Sequence, residues 1–179
     1  MNLVSPRKPF GLATNVRGKP TPFLNGVKIY QFGGVGYVEK DAITAATEVI
    51  YDWKIFIGRA HGGQGHGKDV YPTVVLGKPF IGQPGSASTE TYLYIGPFPN
   101  ESYAKNVQSY ISTRLFRLLV LLNKPAQDAT RRVYAFVPIQ DFSKPWTDAE
   151  LYNKYGITDD EIAFIEKMIR PMDLSSAGQ

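Results

Sequence analysis

Apolar positions recur along this chain with two distinct periods. The longest regular pattern runs from Val107 through Ile111, Leu115, Leu118 and Leu119 to Leu122. Its spacing of three and four is that of an amphipathic helix, and it predicts one long helix over 101–122, stopped before Pro125. Short runs rich in Val, Ile, Tyr and Thr, bounded by Gly, Pro and Asn, predict strands. These are 27–32 after the turn signal Asn25-Gly26, a resumption at 37–38 beyond the Gly33–Gly36 break, and then 54–58, 73–76, 87–95 and 133–137. Asp41 is placed to cap a helix over 41–53, with Ile43, Ala46, Ile50 and Trp53 near one face. Thr147 with Glu150, and Thr158 with Glu161, are capping boxes. They open two further helices, one ending at Gly156 and one reaching about Arg170.

Together these elements predict a mixed α+β fold: a sheet of about five strands, one long packed helix and two C-terminal helices. Three segments are expected. Residues 1–26, rich in Pro, Gly and basic side chains, read as an arm or linker whose Phe10, Leu12, Phe23 and Leu24 are free to dock. Residues 27–142 form the α+β body, and residues 143–179 a helical extension. No internal repeat is visible.

Composition narrows the classes. At 179 residues, with 43% hydrophobic and 20% charged side chains, the chain suits one globular domain with a small appendage. No apolar run approaches the ~18 residues of a membrane span, and the basic N-terminus has no apolar stretch behind it, so no signal peptide is expected. Cysteine is absent, which removes disulfides, zinc-thiolate sites and thiol catalysis; a cytoplasmic location fits. The net charge of +4 is uneven. Residues 1–140 hold 16 Lys/Arg against 8 Asp/Glu, and residues 141–179 hold 4 against 8. A basic body favours a polyanion, nucleic acid first.

Catalytic motifs are incomplete. Gly62 to Lys68 matches most of a nucleotide-binding P-loop, but Asp69 stands where Ser or Thr must hold magnesium, and Val70-Tyr71-Pro72 does not open a helix. His61 and His66 with Asp69 lack rigid support for a metal centre, and no metal site is assigned. The Gly33–Gly36 turn leads into Tyr37-Val38 rather than a cofactor-binding helix. No serine sits in a nucleophile elbow. The chain has no Pro-Pro pair, so the Asn-Pro-Pro-Tyr or Asp-Pro-Pro-Tyr segment of adenine methyltransferases is missing. What remains is a basic set: Arg59, His61, Gln64, His66 and Lys68 in and beside the glycine-rich loop, Arg114 and Arg117 beside the apolar stripe, and Arg131 and Arg132. Glycine permits close approach to a backbone, and arginine clamps phosphate or reads guanine.

Several segments then resemble a known family. Ser5-Pro6-Arg7-Lys8-Pro9-Phe10-Gly11-Leu12, Lys78-Pro79-Phe80-Ile81-Gly82 with Thr89-Glu90-Thr91-Tyr92, and Tyr110-Ile111-Ser112-Thr113-Arg114-Leu115-Phe116-Arg117 are similar to the C-terminal, TaqI-like specificity region of adenine-specific DNA methyltransferases of bacterial restriction–modification systems. So are Phe136 to Ser143 and Trp146 to Met172. The resemblance implies a target-recognition domain for double-stranded DNA. A methyltransferase domain outside this chain would be its partner and would bind S-adenosylmethionine; no cofactor is expected here, and this chain is not expected to be an enzyme alone. Arg59, Lys68, Arg131 and Arg132 are expected to hold phosphates, and His61, Gln64 and His66 are the candidates for base edges. Two alternatives stand beside it: an interaction module that docks a catalytic or restriction subunit through the acidic tail, and a stand-alone metal-dependent nuclease.

Overall fold

The computed structural model describes residues 1–59, 71–124 and 129–175. The first turn signal is used: Asn25 takes a left-handed φ of 61° and leads into strand β1, Gly26–Gln31. Gly33 and Gly34, with φ of 87° and 136°, reverse the chain into β2, Gly34–Glu39. The two pair antiparallel from Gly26↔Glu39 to Gln31↔Gly34. Along β1, Val27, Ile29 and Gln31 are buried while Lys28 and Tyr30 are half-exposed, the alternation of a strand with one covered face. Strand β5, Ser86–Ser88, joins β1 in parallel. A second sheet centres on β3, Trp53–Gly58, with β4, Phe80–Gly82, and β6, Tyr92–Phe98, antiparallel on either side.

β3 is buried from Lys54 to Ile57 because both of its faces are covered. Ile55 and Ile57 join Leu93 and Ile95 in a large core with the helices. Phe56 joins Phe10, Leu12, Ile29 and Ile50 in a second core shared with the first sheet. The expected single sheet is therefore two three-stranded sheets. The difference arises within 87–95, which reads as one run. The chain leaves β5 at Ser88, turns over Thr89–Thr91, and enters the other sheet as β6.

Residue type misleads in other places. The expected helix over 41–53 is two 3-10 turns, Lys40–Ala42 and Thr47–Tyr51, separated by Ala46 at φ 45°. Ile43, Val49 and Ile50 are nonetheless buried. Val133 to Val137 has strand composition but pairs with no strand among the described residues. It forms a 3-10 turn over Arg131–Tyr134 whose carbonyls also accept from the Met1 ammonium at Tyr134 O and from Asn123 at Arg132 O, both at 2.8 Å. Residues 73–76 contribute only an isolated bridge, Thr73↔Ile169.

The predicted 101–122 helix is two helices, α1 Glu101–Ile111 and α2 Arg114–Leu122. Thr113 is extended and caps α2, its side chain accepting from the Phe116 amide. Asp148, at the start of α3, Asp148–Tyr155, accepts from the Arg114 and Leu115 amides, both at 3.0 Å. A carboxylate at exposed helix N–H groups is favoured by hydrogen bonding and by the helix dipole. The periodicity crosses the break without interruption, so only the tertiary partner reveals it.

Both capping boxes form as expected, opening α3 and α4, Asp159–Met168. Leu151, Ile165 and Ile169 belong to the large core, so the extension packs on the body. The N-terminal segment packs as well. Val4 bridges Ile95, and Phe10 is fully buried, worth about 2 kcal/mol for a side chain of that size. Phe23 is half-buried, whereas Leu24 stays 88% exposed and does not dock.

Candidate nucleic-acid interface

The topology brings several chain ends to one edge. β1 and β5 are parallel, so Gln31 and Ser88 finish on the same side. The Thr89 amide donates to Tyr30 O at 2.9 Å, tying the β1 end to the turn that follows β5. That turn starts β6, whose Tyr92 pairs with Gly58 at the end of β3. The Arg59 amide donates to Thr91 O at 2.9 Å, and Arg59 O accepts from the Ala129 amide at 2.8 Å. Thus the ends of β1, β3 and β5 meet the approach to the Arg131–Tyr134 turn.

Cations collect along this edge around one carboxylate. Arg7 Nε donates to Glu90 Oε1. Arg59 Nε donates to Glu90 O at 3.2 Å, with its guanidinium 4.0 Å from Glu90 Oε1. The hydrogen bond from Arg7, and then the charges of Arg7, Arg59 and Lys8, hold the Glu90 carboxyl below its ordinary range against its desolvation. Glu90 thereby fixes two guanidinium groups at the rim. Arg131 and Arg132 are exposed and make no ion pair with any described residue. Arg131 is close enough to oppose, by its charge, the burial that raises the Tyr94 hydroxyl. It also adds to the burial that depresses the Met1 ammonium.

The predicted set therefore divides. Arg59 and Arg131 share the edge, and Arg132 follows Arg131 in the exposed turn. His61, Gln64, His66 and Lys68 lie outside the described residues. Arg114 and Arg117 belong elsewhere, as clamps on the C-terminal segment. Arg114 Nε donates to Ile169 O at 3.3 Å, and its Nη1 lies 3.5 Å from Glu166. Arg117 is 2% exposed. Its guanidinium donates to Thr113 O at 3.1 Å, to Ser112 O at 3.0 Å and to Arg170 O, satisfying carbonyls left open at the helix break. A guanidinium so enclosed cannot also reach a phosphate, and the expected DNA contact at Arg117 is corrected to a structural one.

Arg7 and Lys8 are additions to the predicted set. Their signal in the sequence is the basic pair inside Ser5-Pro6-Arg7-Lys8-Pro9, a stretch with no periodicity to place it. Two hydrogen bonds between Ser5 and Tyr94, at 2.8 and 3.0 Å, hold that stretch along β6.

Among the described residues no three His, Asp or Glu side chains are grouped to hold a metal ion, and no helix is long and apolar enough to cross a membrane. Against protein-family models, curated proteins and solved structures, the chain finds no match in any of the three comparisons.

Proposed function

We propose that this chain is a DNA target-recognition module, of the kind that serves an adenine-specific DNA methyltransferase of a restriction–modification system. In that reading a separate methyltransferase domain binds S-adenosylmethionine and carries out the chemistry on a flipped adenine. The observation that carries the proposal is the gathering of Arg7, Lys8 and Arg59 around the Glu90 carboxylate on one edge, beside the exposed turn that carries Arg131 and Arg132. Such an edge neutralises phosphates, releases counterions and sets register on a duplex. The interaction-module alternative places the partner on the apolar side of α4. Ile165 and Ile169 are 3% and 0% exposed and Ile162 is half-buried against the same core, which favours the DNA reading, while Phe164 of that helix stays 56% exposed.

The test is binding of a random-sequence duplex, followed by fluorescence anisotropy across a salt series. Replacing Arg131 and Arg132 together by Ala is expected to weaken binding across sequences. It should also reduce the slope of log K against log salt by about two, roughly one for each phosphate no longer neutralised. An unchanged slope would remove this edge as the interface.

A further inference from the structure

The β1–β2 hairpin ends on the same edge, and its tip carries an exposed aromatic ring. Phe32 is 65% exposed and Val35 41% exposed, immediately beside the Gly33-Gly34 turn. A large aromatic ring at a hairpin tip is costly to leave in water, yet the tip is braced rather than loose. The buried Gln31 carboxamide accepts from the Gly18 amide at 2.8 Å, and Lys19 exchanges two backbone hydrogen bonds with Tyr37, at 2.8 and 2.9 Å. This bracing brings the Arg17 guanidinium to 5.9 Å from the Phe32 ring centroid. Two residues before Phe32, on β1, Tyr30 is locked between Phe80 and Phe56, with centroids at 4.8 and 5.1 Å. Its carbonyl is held by Thr89, next to the Glu90 that gathers Arg7 and Arg59. The tip is therefore a rigid aromatic finger flanked by a cation and continuous with the basic edge.

We propose that Phe32 is a base-stacking wedge. On a duplex held by the arginine edge, the hairpin enters a groove and the Phe32 ring packs against an unstacked base step, while the Arg17 guanidinium, anchored through Nη1 on Thr14 O and Val16 O, lies toward a flanking phosphate. A two-stranded ribbon matches the major-groove width, apolar wedges are a recurrent means of opening base steps, and a cation beside an apolar tip complements a polyanion with aromatic contents. The proposal rests on the DNA-recognition reading and adds a contact to bases, where the arginine edge contacts phosphates.

Three proteins separate the two: Phe32→Ala, Phe32→Trp and the Arg131→Ala/Arg132→Ala double variant. All are tested against a fluorescein-labelled random-sequence duplex of about two helical turns. At 65% exposure Phe32 can be truncated without loss of the fold, which circular dichroism and urea midpoints will verify. Phe32→Ala is expected to lower affinity about five- to 150-fold, the range for removing one stacked ring, with the salt slope unchanged because no charge is removed. Phe32→Trp should keep its affinity, and its indole emission should be quenched by added duplex beyond any quenching of Trp53 and Trp146 in the parent. Wild-type affinity in Phe32→Ala, with weakened binding in the arginine variant, overturns the wedge and leaves the edge standing. Reduced affinity in Phe32→Ala without quenching in Phe32→Trp also overturns stacking. No duplex binding by the parent protein, even at low salt, overturns both.

Discussion

Lys54 offers a test of the structure that does not depend on function. It is fully buried on the central strand of the second sheet. Its Nζ donates to Ile50 O at 3.1 Å and Asp52 O at 2.8 Å, and sits 6.0 Å from the Phe56 ring centroid. Burial pushes its pKa from 10.5 down to about 8, with the Asp52 charge pulling back. Between those two values the unfolded chain holds more protons than the folded one, so stability rises with pH across that interval. Below about 8 both states are protonated, and the full cost of burying the charge is present. It is relieved as pH climbs through 8 toward 10.5. The full effect is about 3 kcal/mol, of which about 2 kcal/mol falls between pH 7 and about pH 9.5. Buried tyrosines oppose it at the upper end: desolvation raises the Tyr110 and Tyr152 hydroxyls to about 12, so the unfolded chain loses those protons first.

Comparison with Lys54→Met cancels the tyrosines and preserves the length of the aliphatic stem. Urea unfolding, followed by far-UV circular dichroism at several pH values, should show the wild type gaining about 2 kcal/mol on the variant from pH 7 to about pH 9.5. At pH 7 the variant is relieved of a buried charge but loses the donor to Asp52 O, while Ile50 O keeps the Gly85 amide, so the change of the gap with pH, and not its value at pH 7, is the readout. A stability gap that stays constant across the series would refute the placement of the ammonium in the core.

Two further perturbations probe the packing at the break between α1 and α2 and beside the hairpin. Arg117→Met should cost roughly 2–4 kcal/mol in urea unfolding, because Ser112 O and Arg170 O lose their donor. Its salt slope for duplex binding should stay at the wild-type value, whereas a reduced slope would return Arg117 to the DNA surface. Gly18→Ala puts a methyl carbon 2.4 Å from Tyr37 N and 2.8 Å from Gly36 C. Since both are backbone atoms, the 17–19 segment must shift. The expected destabilisation is about 2 kcal/mol, with accelerated amide exchange at Lys19 and Tyr37, and normal protection at those two amides would show that the close approach is not as described.

The sequence alone determined features whose causes are local. The two capping boxes place α3 and α4 because a Thr hydroxyl and a Glu carboxylate three residues on satisfy the same helix N-terminus. Asn25-Gly26 opens β1 and Gly33-Gly34 ends it because those residues tolerate positive φ, although the strand expected to resume at 37–38 already begins at Gly34. Burial follows the apolar pattern even where the element differs, as at Ile43 and Ile50, since hydrophobicity belongs to the residue and not to the backbone conformation. Tertiary partners decided the rest. Thr113 breaks a helix that periodicity runs straight through because Asp148 and Arg117 wait for the exposed groups. Val133 to Val137 is not a strand: its first residues close a 3-10 turn whose carbonyls are taken by Met1 and Asn123. Arg59 and Arg117 look alike in sequence, one basic residue beside an apolar run. Packing brings Arg59 to the rim with Arg7 and Glu90, whereas it closes Arg117 among three backbone carbonyls. Which charges face a ligand is set by contacts between residues far apart in the chain, and no local pattern encodes them.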